Sequence, residues 1–311
     1  MNDKHSILED FEDFVALKVS LGYREVSYRA QVSQFVAFCE CCDTSAGYIT
    51  KELLDAWLVD RQPMNNGTQN SAVSRIRQLC RYQVSIGKPA FVPGPEYSVP
   101  QTHFTPCIFT EGEVRVLFNS IDSIRPSIQS PNKEYIVPVL FRMMYCCGMR
   151  PGEPLALLRT DVNLDSGVVF IRQSKKSKDR RIVMSADLLA LCRRYDDLHG
   201  SRTFFFERSD GRKCPTHWMT SQFHICCRDT ALFSDGQLPR PYDLRHNHVT
   251  RTIMRWVDEG RDVSSQMPYL SAYLGHSEIS YTYYYLSLLP ERIRASAGID
   301  WDKLAVIYPE V

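Results

Sequence analysis

Net charge is the first thing this 311-residue chain has little of: 37 Lys and Arg stand against 36 Asp and Glu, a formal +1 at pH 7. Proteins that coat phosphate backbones without sequence preference are usually far more basic, so a globally basic coat is excluded. Apolar runs approaching the roughly 18–20 residues that span a bilayer are also missing, and the start, Met1-Asn2-Asp3-Lys4-His5, carries no signal-peptide core. A cytoplasmic protein without a membrane partner is the expectation. No G-x-x-x-x-G-K-[ST] loop is present to cradle a nucleotide. The eleven cysteines are odd in number and include the neighbours Cys41-Cys42, Cys146-Cys147 and Cys226-Cys227, which suits reduced thiols better than a disulfide framework. Cys39, Cys41, Cys214, His217 and Cys226 are metal-ligand types, but without a C-x-x-C pair or comparable spacing, so neither a metal nor another cofactor is expected.

With 44% hydrophobic and 23% charged residues, the composition is that of a globular protein long enough for two cores. The charge is unevenly spread. Residues 1–100 hold 10 Lys and Arg against 12 Asp and Glu, and the remainder 27 against 24. Between Arg172 and Arg181 six basic residues face one acid, Asp179, so a local phosphate contact is reasonable where a global one is not.

From Ile7 to Gly87 apolar residues such as Phe11, Phe14 and Val15, then Val32, Phe35 and Val36, recur every three to four positions, which predicts four helices. Thr50 reads as the N-cap of the helix carrying Leu54 and Trp57, and Thr68 as that of the helix carrying Val73, Ile76 and Leu79. Pro89, Pro93, Pro95, Pro100 and Pro106 then forbid continuous helix. The division predicted is 1–88, a linker over 89–109, and 110–311, with Thr110 and Glu113 forming a capping box. In the second part, Gly167 to Arg172 and Arg181 to Met184 flank a polar turn, as a hairpin would, with Lys175, Lys176 and Lys178 at its tip. The fold class is therefore mainly α with a small β-sheet.

Several residues suit phosphate chemistry. Leu274-Gly275-His276 is followed nine residues after the histidine by Tyr285, within Thr282-Tyr283-Tyr284-Tyr285. Upstream lie Gly148-Met149-Arg150-Pro151-Gly152-Glu153 and Tyr242-Asp243-Leu244-Arg245. Guanidinium groups such as Arg150 and Arg245 offer permanent charge and paired donors to non-bridging oxygens. A tyrosine phenol is a nucleophile once cations lower its pKa or a base takes its proton. An ammonium on a hairpin tip, such as Lys175, suits protonation of a leaving oxygen.

In these boxes the chain resembles the tyrosine recombinase, or phage-integrase, family over nearly its whole length. That family arranges an Arg in a G-L-R-x-x-E-type box, a hairpin Lys, an H-x-x-R box, an L-G-H box and a Tyr soon after. The matching positions are Arg150, Lys175, Tyr242 with Arg245, His276 and Tyr285, with Glu153 orienting Arg150; the hairpin pattern K-x-x-K-D-R selects Lys175 over its neighbours. The resemblance implies an N-terminal helical core-binding (SAM-like) domain and a C-terminal mixed α/β catalytic domain that clamp double-stranded DNA. It implies site-specific strand exchange by attack of Tyr285, forming a 3′-phosphotyrosine without metal or ATP. It further implies a homo-oligomer, a tetramer on two duplexes, with accessory DNA-bending proteins as further partners. A tail over 286–311, with Trp301, Leu304 and Ile307, either finishes its own core or docks on a neighbouring protomer.

The departure from the pattern is Tyr242, where the family usually has histidine; a phenol donates to phosphate but accepts a proton poorly. Lys178 and Arg180 are candidates for backbone contacts, and His246 and His248 read as support. Two rivals follow: a nicking-closing or hairpin-forming enzyme using the same tyrosine, and a DNA-binding architectural or regulatory protein with a decayed centre.

Overall fold

The computed structural model describes residues 6–23, 25–42, 46–100, 105–174, 178–230 and 238–289. The chain divides into two compact units, Met1–Phe104 and Thr105–Val311. Among the described residues no helix is long and apolar enough to cross a membrane.

The first unit holds α1 (Ile7–Ser20), α2 (Glu25–Cys41), α3 (Lys51–Asp60) and α4 (Asn66–Ser85). Their apolar stripes meet in one core, where Trp57 packs edge-on against Phe35 at 5.4 Å. The Thr50 hydroxyl accepts from Leu53 N, as an N-cap should. Thr68 is not a cap: α4 begins earlier, because the Asn65 side chain accepts from Gly67 N and supplies the terminus instead. A polar knot sits inside this unit, with Asp10 accepting from Gln83 Nε2 at 2.6 Å and from Lys88 Nζ at 2.7 Å.

Of the proline-rich stretch predicted as a linker, residues 89–100 are fastened to the first unit, and residues 105–109 belong to the second. Phe91 N donates to Ile49 O, Arg77 to Pro93 O and Gly94 O, and Asn70 exchanges hydrogen bonds with Val99. Prolines remove helical hydrogen bonds but leave carbonyls that side chains of α4 can satisfy.

In the second unit, the predicted Thr110–Glu113 capping box opens α5 (Glu111–Asp122). The helix α6 (Lys133–Cys147) is buried on most of its surface, and α7 (Gly152–Ala156) is a single turn. Strands β1 (Val168–Ser174) and β2 (Lys178–Val183) pair antiparallel, with Phe170 opposite Arg181 and Ile171 opposite Arg180. The helices α8 (Ala186–His199), α9 (Thr216–Arg228), α10 (Pro241–Asp258), α11 (Val263–Leu274) and α12 (Ser280–Ser287) complete it. Buried Asn247 ties α10 to the start of the unit, accepting from Phe109 N at 2.6 Å and donating to Cys107 O at 2.8 Å.

Candidate active site

The site is assembled around helix C-termini. At the end of α6, Gly148 takes φ of +60°, and a Cβ there would lie 2.6 Å from the His248 ring. Only glycine satisfies both demands without strain, and the turn it makes carries the chain to Arg150. At the end of α11, Gly275 takes φ of +66°, its N–H bonds Ala272 O, and His276 N bonds Ser271 O. This pair of bonds is a Schellman motif, which explains the Leu-Gly-His order physically. Leu274 is buried, the glycine turns left-handed, and the next residue is thrown off the helix end.

Arg245 joins the two ends. Fully buried on α10, it donates through Nη1 to Gly148 O at 2.6 Å, and through Nη2 to Leu274 O at 2.8 Å and His276 Nε2 at 3.0 Å. A cation there satisfies carbonyls that α6 and α11 leave without intrahelical partners, and it lies at the negative ends of both helix dipoles. Burial first, and the Arg150 charge second, lower its pKa from the ordinary guanidinium value.

Arg150 donates to Gly275 O at 2.8 Å and to Glu153 Oε1 at 2.9 Å, while its backbone N–H bonds Glu153 Oε2. Glu153 also receives both Nη groups of Arg180, each at 2.7 Å. Burial alone would raise the Glu153 pKa, but the hydrogen bonds and charge of Arg180 outweigh it and hold the carboxyl below its usual range. Arg180 is thus committed to Glu153 in a partly buried ion pair, which corrects its expected place among backbone contacts. The signal for this lay in the period of two along β2: Arg180 shares the inward face with Ile182, whereas Arg181 points the other way.

Arg150, Tyr242, His246, His276, Tyr284 and Tyr285 line a cleft of about 220 Å³. Arg245 lies behind it, so of the two predicted arginines one reaches the cleft and the other braces it. Tyr285, only 3% exposed, stacks on His276 with ring centres 6.3 Å apart and planes at 9°. Burial pushes its phenol up to about 12, partly opposed by the Arg245 charge and hydrogen bond. Its neighbours behave differently: Tyr284 is half-exposed at the rim, and Tyr283 packs at the edge of a cluster with Val249, Met267 and Leu286.

His246, read from sequence as mere support, lines the cleft one turn beyond Tyr242, 4.9 Å from that ring and 5.4 Å from Tyr285. Burial, then Arg240 and Arg245, depress its pKa to about 4, so it is neutral at physiological pH. Its Nδ1 is buried with no hydrogen-bond partner among the described residues. Its i, i+4 spacing from Tyr242 on α10 is the signal that could have marked it. His248 faces Tyr145 O and Tyr273 instead, as support. Lys175, the predicted hairpin-tip cation, and the predicted tail beyond 289 lie outside the described residues.

The model of the phage integrase family matches residues 109–292. The integrase/recombinase y4rE of Sinorhizobium fredii is 28% identical over 295 residues, covering 90% of this chain and 91% of that protein. The tyrosine recombinase XerD of Pseudomonas putida is 24% identical over 306 residues, 93% and 95% of the two chains. Among solved structures, the Tn1549 transposon integrase in complex with a circular intermediate DNA shares the fold, with a TM-score of 0.66 at 12% identity over 97% of this chain and all of that one. With the family match covering more than half its length, the chain belongs to the phage integrase family, that of the tyrosine recombinases.

Proposed function

We propose that this protein is a site-specific DNA recombinase or integrase that cuts and rejoins duplex DNA through a covalent 3′-phosphotyrosine at Tyr285. The observation that carries the reading is the meeting of Arg150, Arg245, His276 and Tyr285, from four separate segments, around one cleft with fixed cationic walls. A duplex as partner is supported by the DNA held in the Tn1549 integrase structure.

In this reading Arg150 and Arg245 take the non-bridging oxygens of the scissile phosphate, Arg245 turning an N–H from His276 to do so. Glu153 holds Arg150 in place, and Tyr242 donates its phenolic hydrogen to a phosphate oxygen. The buried phenol of Tyr285 attacks phosphorus as its proton passes to His276 Nε2; His246, with its much depressed pKa, is too weak a base for that transfer. The P–O5′ bond breaks, Lys175 protonates the leaving oxygen, and the free 5′-hydroxyl of a second strand later reverses the step. One phosphodiester replaces another, so neither nucleotide nor metal is needed to drive it. Residues 1–88 serve as the core-binding domain and 110–311 as the catalytic one, and four protomers act on two duplexes with DNA-bending accessory proteins.

The test is incubation with a nicked suicide substrate carrying a verified cognate site. A covalent adduct on a denaturing gel, abolished by Tyr285→Phe, is the expected result. Binding without any adduct would establish a DNA-binding module instead.

A further inference from the structure

His276 has two ring nitrogens, and the groups around it decide which carries the proton. Arg245 Nη2 lies 3.0 Å from Nε2, and a guanidinium is only ever a donor, so this contact favours a lone pair on Nε2. In the neutral ring the proton then sits on Nδ1. That nitrogen is 2.8 Å from Thr282 Oγ1, a hydroxyl able to accept it. Thr282 is fully buried and belongs to α12, three residues and so nearly one turn before Tyr285.

We propose that Thr282 is a positioning residue for the strand-transfer site: its hydroxyl holds the His276 proton on Nδ1 and keeps Nε2 basic and aimed at the cleft. The need for it is greatest when substrate arrives. Arg245 then turns an N–H toward phosphate and releases Nε2, while the Thr282 hydroxyl keeps its contact with Nδ1. A nucleophile, a base and a third group orienting the base make the same division of labour that activates serine and cysteine nucleophiles. Here the orienting group is a neutral hydroxyl on the nucleophile's own helix. Because Thr282 and Tyr285 share α12, one helix positions both the nucleophile and the grip on its base. This inference rests on the proposed strand-transfer reading for its kinetic consequence, and on geometry alone for the tautomer.

Two variants separate the alternatives. Thr282→Val keeps the shape and removes the hydroxyl; Thr282→Ser keeps the hydroxyl. Nitrogen-15 spectra of histidine-labelled protein, assigned by loss of the signals in His276→Gln, report the tautomer directly, without DNA. Wild type is expected to show a protonated Nδ1 and an unprotonated Nε2, Thr282→Val a mixture of the two tautomers, and Thr282→Ser the wild-type pattern. On the suicide substrate, Thr282→Val should slow adduct formation about tenfold, the scale of one hydrogen bond, and Thr282→Ser should restore it. A Thr282→Val protein that stays wholly in the Nδ1–H form would show that Arg245 alone sets the tautomer, overturning the proposal. So would slowed cleavage that serine fails to rescue. Absence of an adduct in wild type would instead overturn the strand-transfer reading, and the spectra would still decide the part played by Thr282.

Discussion

The two units bury polar groups for different ends. In the first, the buried carboxylate Asp10 is held by Gln83 and Lys88, a closed knot that links α1 to α4 and to the loop before α3. In the second, Arg245 is buried and Glu153 and Arg180 are partly buried, with Arg150 beside them at the cleft, so three guanidinium groups crowd around one carboxylate. Desolvating charge is costly unless partners are in place. The first unit matches its acid to one cation, whereas the second holds an excess of cation ready for something anionic. That imbalance, rather than burial itself, distinguishes a site from a structural ion pair.

The largest loss of activity is expected at Arg245. Arg245→Lys keeps the charge but loses the fork that spans two helix ends and His276. Adduct formation should fall about 10²–10³-fold, the scale of removing one preorganised donor from a developing charge. A single-turnover assay on the suicide substrate reads this, and a rate within threefold of wild type would deny Arg245 its bracing role.

Arg180→Ala ranks next. It removes the two bonds that hold Glu153 and leaves a partly buried carboxylate with Arg150 alone, a loss of about 3–5 kcal/mol in stability by analogy with other broken buried pairs. With a depressed folded pKa, Glu153 contributes its stability above the ordinary carboxylate pKa and loses it as pH falls through the folded value. The variant's thermal midpoint should therefore depend less steeply on pH in the acid range than wild type's. Equal slopes would mean that Arg180 does not control this carboxylate.

The two units differ last in their histidines. His246 and His248 are both held near pKa 4 by burial, and the described part of the first unit contains no histidine. The unfolded chain binds these protons at about 6.5 while the folded chain does not. Stability from the two rings is thus complete above about 6.5 and declines as pH falls toward 4. Hydrogen exchange, corrected for intrinsic rates, should show α10 losing protection between pH 7 and 5 more than α2 does. Parallel losses in both helices would remove the histidines as the cause.

Much of this was legible in the sequence because it depends on neighbours in the chain. Helix periods, the Thr50 cap, the Thr110–Glu113 box and the hairpin follow from residues within a turn or two of one another. The cap of α4 is not legible in sequence because Asn65 and Thr68 are both good caps, and which one starts a helix depends on how the preceding turn packs. Arg180 is hidden because a basic run looks like a solvated face until the strand is laid against a carboxylate. His246 is hidden because the expected histidine position lies one turn earlier, at Tyr242, and only the fold brings both rings to the same cleft.

Chain order supplies the chemistry available: arginines for an anion, a glycine turn presenting a histidine, and a tyrosine a fixed distance beyond. Tertiary structure alone decided which arginine faces the cleft and which braces it, which histidine carries its proton where, and why Tyr285 rather than Tyr284 is sealed against Arg245. The reason is physical. Arg245 and the Gly148 carbonyl that it satisfies lie 97 residues apart, and no local propensity can specify a hydrogen bond between groups that only the packed helices bring together.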